Sequence, residues 1–167
     1  MRIYLIGYMG SGKSTLGKEL AGKLGLSFID LDRYLEKKYL KTVPKLFEDE
    51  GEARFREKER ACLVEVSSFG DMVIATGGGA PCFFDNMDVM NRTGDCIFLD
   101  VDCETLASRL LRAKNERPLL RARKEKDLVS SVRKMMAERR PFYEKARYII
   151  RGNNITVDEI LTHLERK

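Results

Sequence analysis

The residues Gly7-Tyr8-Met9-Gly10-Ser11-Gly12-Lys13-Ser14 complete the pattern G-x-x-x-x-G-K-[ST], which suits the phosphates of a nucleoside triphosphate. The glycines let successive backbone N–H groups turn around an anion, Lys13 reaches the β- and γ-phosphates, and the Ser14 hydroxyl ligates Mg²⁺. An apolar run from Ile3 to Ile6 precedes the loop and reads as a buried strand. Behind it, Leu16, Leu20 and Leu24 form one helical stripe that ends at Gly25. The positive end of that helix faces the same phosphates.

Two further clusters carry chemistry. The segment Phe28-Ile29-Asp30-Leu31-Asp32 reads as the end of a second strand, where i, i+2 spacing puts both carboxylates on one face. One acid near Mg²⁺ and one near a substrate hydroxyl is the division of labour that phosphoryl transfer needs. The alternative for either aspartate is an N-cap for the helix starting at Arg33. After a third strand come Gly77-Gly78-Gly79, more glycines than a tight turn requires, which points to close approach by a ligand or to positive φ. Arg56 and Arg139 stand in charged helical contexts, where an arginine is usually solvated or paired with a nearby glutamate. His163, the only histidine, sits in a C-terminal amphipathic stretch and reads as a surface residue. Acid–base work therefore falls to carboxylates.

Composition narrows the class. A chain of 167 residues fits one domain with one core. It has no secretory pattern and no apolar stretch long enough to span a bilayer, so a cytoplasmic enzyme is expected. Cys62, Cys82, Cys96 and Cys103 lack C-x-x-C spacing and suit a reducing compartment better than zinc or disulfides. The net charge of +5 is concentrated: eight basic residues lie between Arg109 and Lys126 against Glu116 and Glu125. With a phosphate loop elsewhere in the chain, that run reads as a basic lid over a triphosphate rather than as a nucleic-acid surface. A nucleotide-dependent switch or nucleic-acid-binding module is the remote alternative, and its signature is salt-sensitive oligonucleotide binding.

These residues need a scaffold, and the chain supplies one. Apolar strands at Arg2–Ile6, Ser27–Leu31, Met72–Thr76, Cys96–Val101 and Tyr148–Ile150 alternate with helical patterns near 13–24, 32–41, 44–68, 84–92, 103–113, 126–145 and 156–166. This alternation predicts a parallel sheet covered on both faces, a three-layer α/β/α architecture. In such sheets ligands sit at the carboxyl ends of the strands.

Taken together, the loop Gly7 to Thr15, Asp30-x-Asp32, Gly51-Glu52-x-x-Phe55-Arg56, Gly77-Gly78-Gly79, Arg117-Pro118-Leu119-Leu120 and Arg139-x-Pro141-x-Tyr143 resemble the shikimate kinases nearly end to end. The resemblance implies a single kinase domain of the P-loop nucleoside-monophosphate-kinase-like fold, with a five-stranded parallel sheet in order 2-3-1-4-5. It also implies a substrate-binding segment over 32–60 and a lid over 110–125. The implied reaction is ATP-dependent, Mg²⁺-assisted phosphorylation of the 3-hydroxyl of shikimate in aromatic amino-acid biosynthesis. The implied enzyme is a monomer with no nucleic-acid or membrane partner.

Residue by residue, the resemblance implies that Gly10, Ser11, Gly12, Lys13, Ser14, Thr15 and Arg117 hold the nucleotide, with Lys13 and Arg117 meeting developing charge. Asp32 would bind the shikimate hydroxyls and accept or orient the reacting proton. Arg56 and Arg139 would grip the carboxylate, Gly78 would contact a ring hydroxyl, and Mg²⁺ would sit on Ser14 directly and on Asp30 through water. The chain departs from common patterns in two places. Ile74-Ala75-Thr76 carries no aspartate for the metal, and Leu110 stands where the family often has an adenine-covering arginine, with Arg109 and Arg112 beside it. Gluconate kinase or a nucleoside-monophosphate kinase of the same fold is the nearest rival.

Overall fold

The computed structural model describes residues 1–113 and 118–166, with the backbone alone over 118–125. Five strands, β1 (Arg2–Ile6), β2 (Ser27–Asp30), β3 (Met72–Ala75), β4 (Asp95–Asp100) and β5 (Tyr148–Arg151), form one sheet in order β2-β3-β1-β4-β5. Every pairing is parallel. The central strands β1, β3 and β4 are almost wholly buried, as their unbroken apolar runs require when helices cover both faces. The edge strands β2 and β5 are only half-buried.

The helices are α1 (Lys13–Leu24), α2 (Leu31–Tyr39), α3 (Val43–Val66), α4 (Asn86–Thr93), α5 (Cys103–Ala113), α6 (Pro118–Tyr143) and α7 (Val157–Glu165), with one 3-10 turn at Ala80–Cys82. Their boundaries follow local chemistry. Asp30 accepts the Arg33 N–H and starts α2, and Leu40, at φ 56°, ends it. Thr42 caps α3 by accepting from the Lys45 N–H, and Thr156 and Glu159 form a reciprocal capping box on α7. Within α3, Gly51 at φ 81° and ψ 169° breaks the helix, a conformation open to glycine. The break divides α3, and the half after Gly51 carries both Arg56 and Glu59, two of its buried residues.

Three sequence expectations shift. Asp32 does not continue the strand: β2 stops at Asp30 because that side chain caps α2, so Asp32 occupies the first helical turn. The helix expected from residue 84 starts at Asn86, behind Phe84 at φ 51°. The helix expected from 126 begins at Pro118, so most of the basic run lies on α5 and α6.

Register brings the chemistry to one edge. Leu5 pairs with Ala75 and Ile97, and Asp30 pairs with Ala75. The chain therefore leaves β1, β2 and β3 side by side, at Gly7, Leu31 and Thr76. No helix among the described residues is long and apolar enough to cross a membrane.

Candidate active site

The phosphate loop turns through positive φ at Gly7, Gly10 and Gly12. Gly12 caps α1 without any side-chain hydrogen bond, so the first N–H groups of the helix have no partner within it. The Lys13 ammonium is buried and donates to the carbonyls of Gly7 at 2.7 Å and Tyr8 at 2.9 Å. Burial lowers its pKa to about 8, against the pull of the Asp32 and Asp30 charges and with the help of Arg139. The Ser11 hydroxyl is buried with no hydrogen-bond partner among the described residues. A buried cation, an orphaned hydroxyl and uncapped amides are what a polyphosphate would satisfy.

Beside the loop, the Ser14 hydroxyl donates to Asp30 Oδ2 at 2.7 Å while Asp30 Oδ1 accepts the Arg33 N–H. Asp30 is thus both the helix cap weighed from sequence and a neighbour of Ser14. A hydroxyl and a carboxylate in contact form an oxygen donor set that fits Mg²⁺. A cavity of about 310 Å³ joins Gly10, Gly12, Lys13, Ser14 and Thr15 to Asp30, Asp32, Thr76, Gly77 and Gly78. Burial raises the pKa of Asp32, and the Asp30 charge adds to this, while Lys13 and Arg56 oppose it.

Of the two expectations for the glycine triplet, positive φ does not hold. None of the three has positive φ; each instead gives up the space of a Cβ to a charged side chain. A Cβ at Gly77 would lie 2.8 Å from Asp32 Oδ1, at Gly78 3.0 Å from Arg139 Nη1, and at Gly79 2.5 Å from Arg56 Nη2. The triplet therefore brings together Asp32, Arg56 and Arg139 from three separate helices.

Arg56 is buried and donates to Glu59 at 2.9 Å, with its guanidinium 4.2 Å from the Phe83 ring centroid. Its Nε makes no hydrogen bond among the described residues and lies 3.5 Å from Glu52 Oε1 in an ion pair. Burial raises the pKa of Glu59 to about 7, outweighing the lowering by Arg56. Arg139 lies over the Tyr8 ring at 5.5 Å. The Tyr143 hydroxyl, its pKa pushed up to about 12 by burial, donates to the Gly78 carbonyl at 2.5 Å and ties the end of α6 to the triplet.

Sequence reasoning missed Glu59, although its i+3 spacing from Arg56 on a helix was a usable signal. It named Arg109 only as a neighbour of the adenine-covering position; Arg109 donates to Gly10 O at 2.9 Å and Asn153 O at 2.6 Å and so ties the phosphate loop to the loop after β5. That link pairs residues 99 and 44 positions apart through backbone carbonyls, which leave no trace in residue type. Arg117 lies outside the described residues.

The chain is similar to known proteins over most of its length. The family description "Shikimate kinase" matches residues 9–167. A shikimate kinase from Bacteroides fragilis is 54% identical over 149 residues, covering 89% of this chain and 83% of that protein. The crystal structure of shikimate kinase from Bacteroides thetaiotaomicron superposes with a TM-score of 0.88 at 46% identity, covering 99% of this chain and 97% of that one. Shikimate kinase from Acinetobacter baumannii, solved in complex with shikimate, gives 0.82 at 36% identity, covering 99% and 90%. A gluconokinase from Sinorhizobium meliloti shares the fold at a TM-score of 0.60 but only 17% identity. The chain belongs to the shikimate kinase family.

Proposed function

We propose that the cavity between the phosphate loop and the glycine triplet is where this chain carries out its family's reaction, transferring the γ-phosphoryl group of ATP to the 3-hydroxyl of shikimate. The observation that carries the assignment is the convergence of one carboxylate, Asp32, and two guanidinium groups, Arg56 and Arg139, on three consecutive glycines. Shikimate offers one carboxylate and several hydroxyls to match. Two planar forks fix a carboxylate in orientation as well as in place, which ammonium groups do not.

On the acceptor side, Arg56 and Arg139 hold the substrate carboxylate, the backbone at Gly78 meets a ring hydroxyl, and Asp32 receives the 3-hydroxyl. The raised pKa of Asp32 makes its carboxylate a better proton acceptor than an exposed aspartate. Glu59 and Phe83 hold the Arg56 guanidinium in place before substrate arrives.

On the donor side, the backbone from Gly10 to Thr15 cradles the phosphates. Lys13 exchanges its carbonyl partners for phosphate oxygens, and Ser14 and Asp30, already in contact, would hold the metal. Mg²⁺, when bound, would neutralise charge on the phosphates there. Arg117, which the family resemblance assigns to a lid over 110–125, would add positive charge as the bridging oxygen leaves, and closure of such a lid would keep water from the γ-phosphate. Positioning and charge supply most of the rate, because the transferred group passes through a loose transition state. In this reading the enzyme is a cytoplasmic monomer acting on a small molecule rather than on nucleic acid or membrane.

The test is ADP release with shikimate, gluconate and nucleoside monophosphates as acceptors. Shikimate alone should stimulate it strongly, and absence of stimulation by shikimate overturns the assignment.

A further inference from the structure

A second concavity, about 330 Å³, adjoins the catalytic cavity, shares Ser14 and Asp30 with it, and runs along the free edge of β2 between α1 and α2. Lys18, four residues after Ser14 on α1, and Arg33 and Lys37, four apart on α2, surround it. None of these three cations has a carboxylate or other partner among the described residues. By contrast, neighbouring Lys38 is paired with Glu65 and Lys23 with Asp158. The one carboxylate in the wall, Asp30, is already engaged by the Ser14 hydroxyl and the Arg33 N–H. A cleft edged by charge of one sign concentrates anions.

The walls are aromatic and fixed. Phe28 is packed so closely on α1 that a Cβ at Gly17 would lie 2.5 Å from its ring. Tyr34 is held at its hydroxyl by Glu65 at 2.7 Å and packs edge-on against Phe69. Apolar walls with a few convergent charges are the usual makeup of a small-molecule site.

We propose that this cleft is a second, non-catalytic binding site for a small organic anion built on a flat ring, with the ring against Phe28 and Tyr34 and its negative group between Lys18, Arg33 and Lys37. Lys18, Phe28, Arg33, Tyr34 and Lys37 line this cleft and not the catalytic cavity, so the ring and its negative group fit there with both substrates bound.

Isothermal titration of the enzyme saturated with ADP, Mg²⁺ and shikimate, using phenyl phosphate as the probe, tests this. A further saturable equivalent should bind, at least about tenfold more tightly than inorganic phosphate, which lacks the ring, or benzyl alcohol, which lacks the charge. The double substitution Arg33→Gln/Lys37→Gln should weaken phenyl phosphate by at least about tenfold, with unchanged thermal unfolding and unchanged shikimate kinetics. Lys18→Gln, on the other helix, should weaken it independently. Absence of binding to the saturated enzyme overturns the proposal. So does equal binding by folded Arg33→Gln/Lys37→Gln or Lys18→Gln protein, or a preference for phosphate over phenyl phosphate.

Discussion

Replacing Gly79 by alanine should disable the acceptor side without touching any residue assigned to it. The added Cβ would sit 2.5 Å from Arg56 Nη2, 2.8 Å from Nη1 and 2.9 Å from Cζ. Ordinary contact begins near 3.5 Å, so the guanidinium must withdraw by about 1 Å. It has little room to do so, with Phe83 on its face and Glu59 hydrogen-bonded at 2.9 Å. A charged hydrogen bond contributes about 1.5 to 3 kcal/mol, so loss of the Arg56 contact to the shikimate carboxylate corresponds to about a 10- to 150-fold fall in kcat/KM for shikimate. The KM for MgATP should stay within about twofold, because the nucleotide is held on the other side of the cavity. Steady-state ADP release, with each substrate varied at saturating levels of the other, reads both quantities, and a thermal melt checks the fold. Gly22→Ala is the control: a Cβ there meets nothing within 4 Å, so helix α1 should gain about 0.4 to 1 kcal/mol with unchanged kinetics. A folded Gly79→Ala enzyme with normal kcat/KM for shikimate would refute the role given to Arg56.

Asp32→Asn should lower kcat by about two orders of magnitude or more while leaving the melting temperature nearly unchanged; in the wild type, the acid limb of kcat/KM should lie above the ordinary aspartate range, since burial raises this carboxyl. Nucleotide binding should take up a proton near pH 8, because phosphate restores the charge on a Lys13 whose pKa burial has lowered to about 8; calorimetry in buffers of different ionisation enthalpy reads this, and buffer-independent heats would contradict it. The folded pKa of Glu59, about 7, lies above its ordinary 4.5, so its contribution to stability is fully present below pH 4.5 and lost as pH rises through 7; denaturant titrations should show wild type losing up to about 3 kcal/mol relative to Glu59→Gln over that window. Gly17→Ala should destabilise the fold by about 1 to 3 kcal/mol, because its Cβ would meet the Phe28 ring at 2.5 Å; an unchanged denaturant midpoint would show that Phe28 can yield.

The donor side was legible in the sequence because its chemistry is contiguous. One strand, one glycine-rich turn and one helix make a phosphate cradle without help from elsewhere, and β1 and α1 fall where the residue pattern puts them. The acceptor side was legible only through resemblance: Asp32, Arg56 and Arg139 stand on three helices, and nothing in their spacing says that they meet at Gly77, Gly78 and Gly79. The i, i+2 argument for Asp30 and Asp32 rested on an extended backbone that ends one residue too soon, yet both line the same cavity. Glu59 stood within reach of a helical spacing rule, whereas the tie from Arg109 to Gly10 and Asn153 depends on backbone carbonyls brought together by the fold.

A crystal structure with ADP, Mg²⁺ and shikimate bound measures the central assignment directly. The shikimate carboxylate should lie between the guanidinium groups of Arg56 and Arg139, with the 3-hydroxyl on Asp32 and facing the diphosphate end of the nucleotide in the Gly7 to Ser14 loop. Shikimate bound with its carboxylate away from both arginines, or its 3-hydroxyl turned from Asp32, would contradict the account.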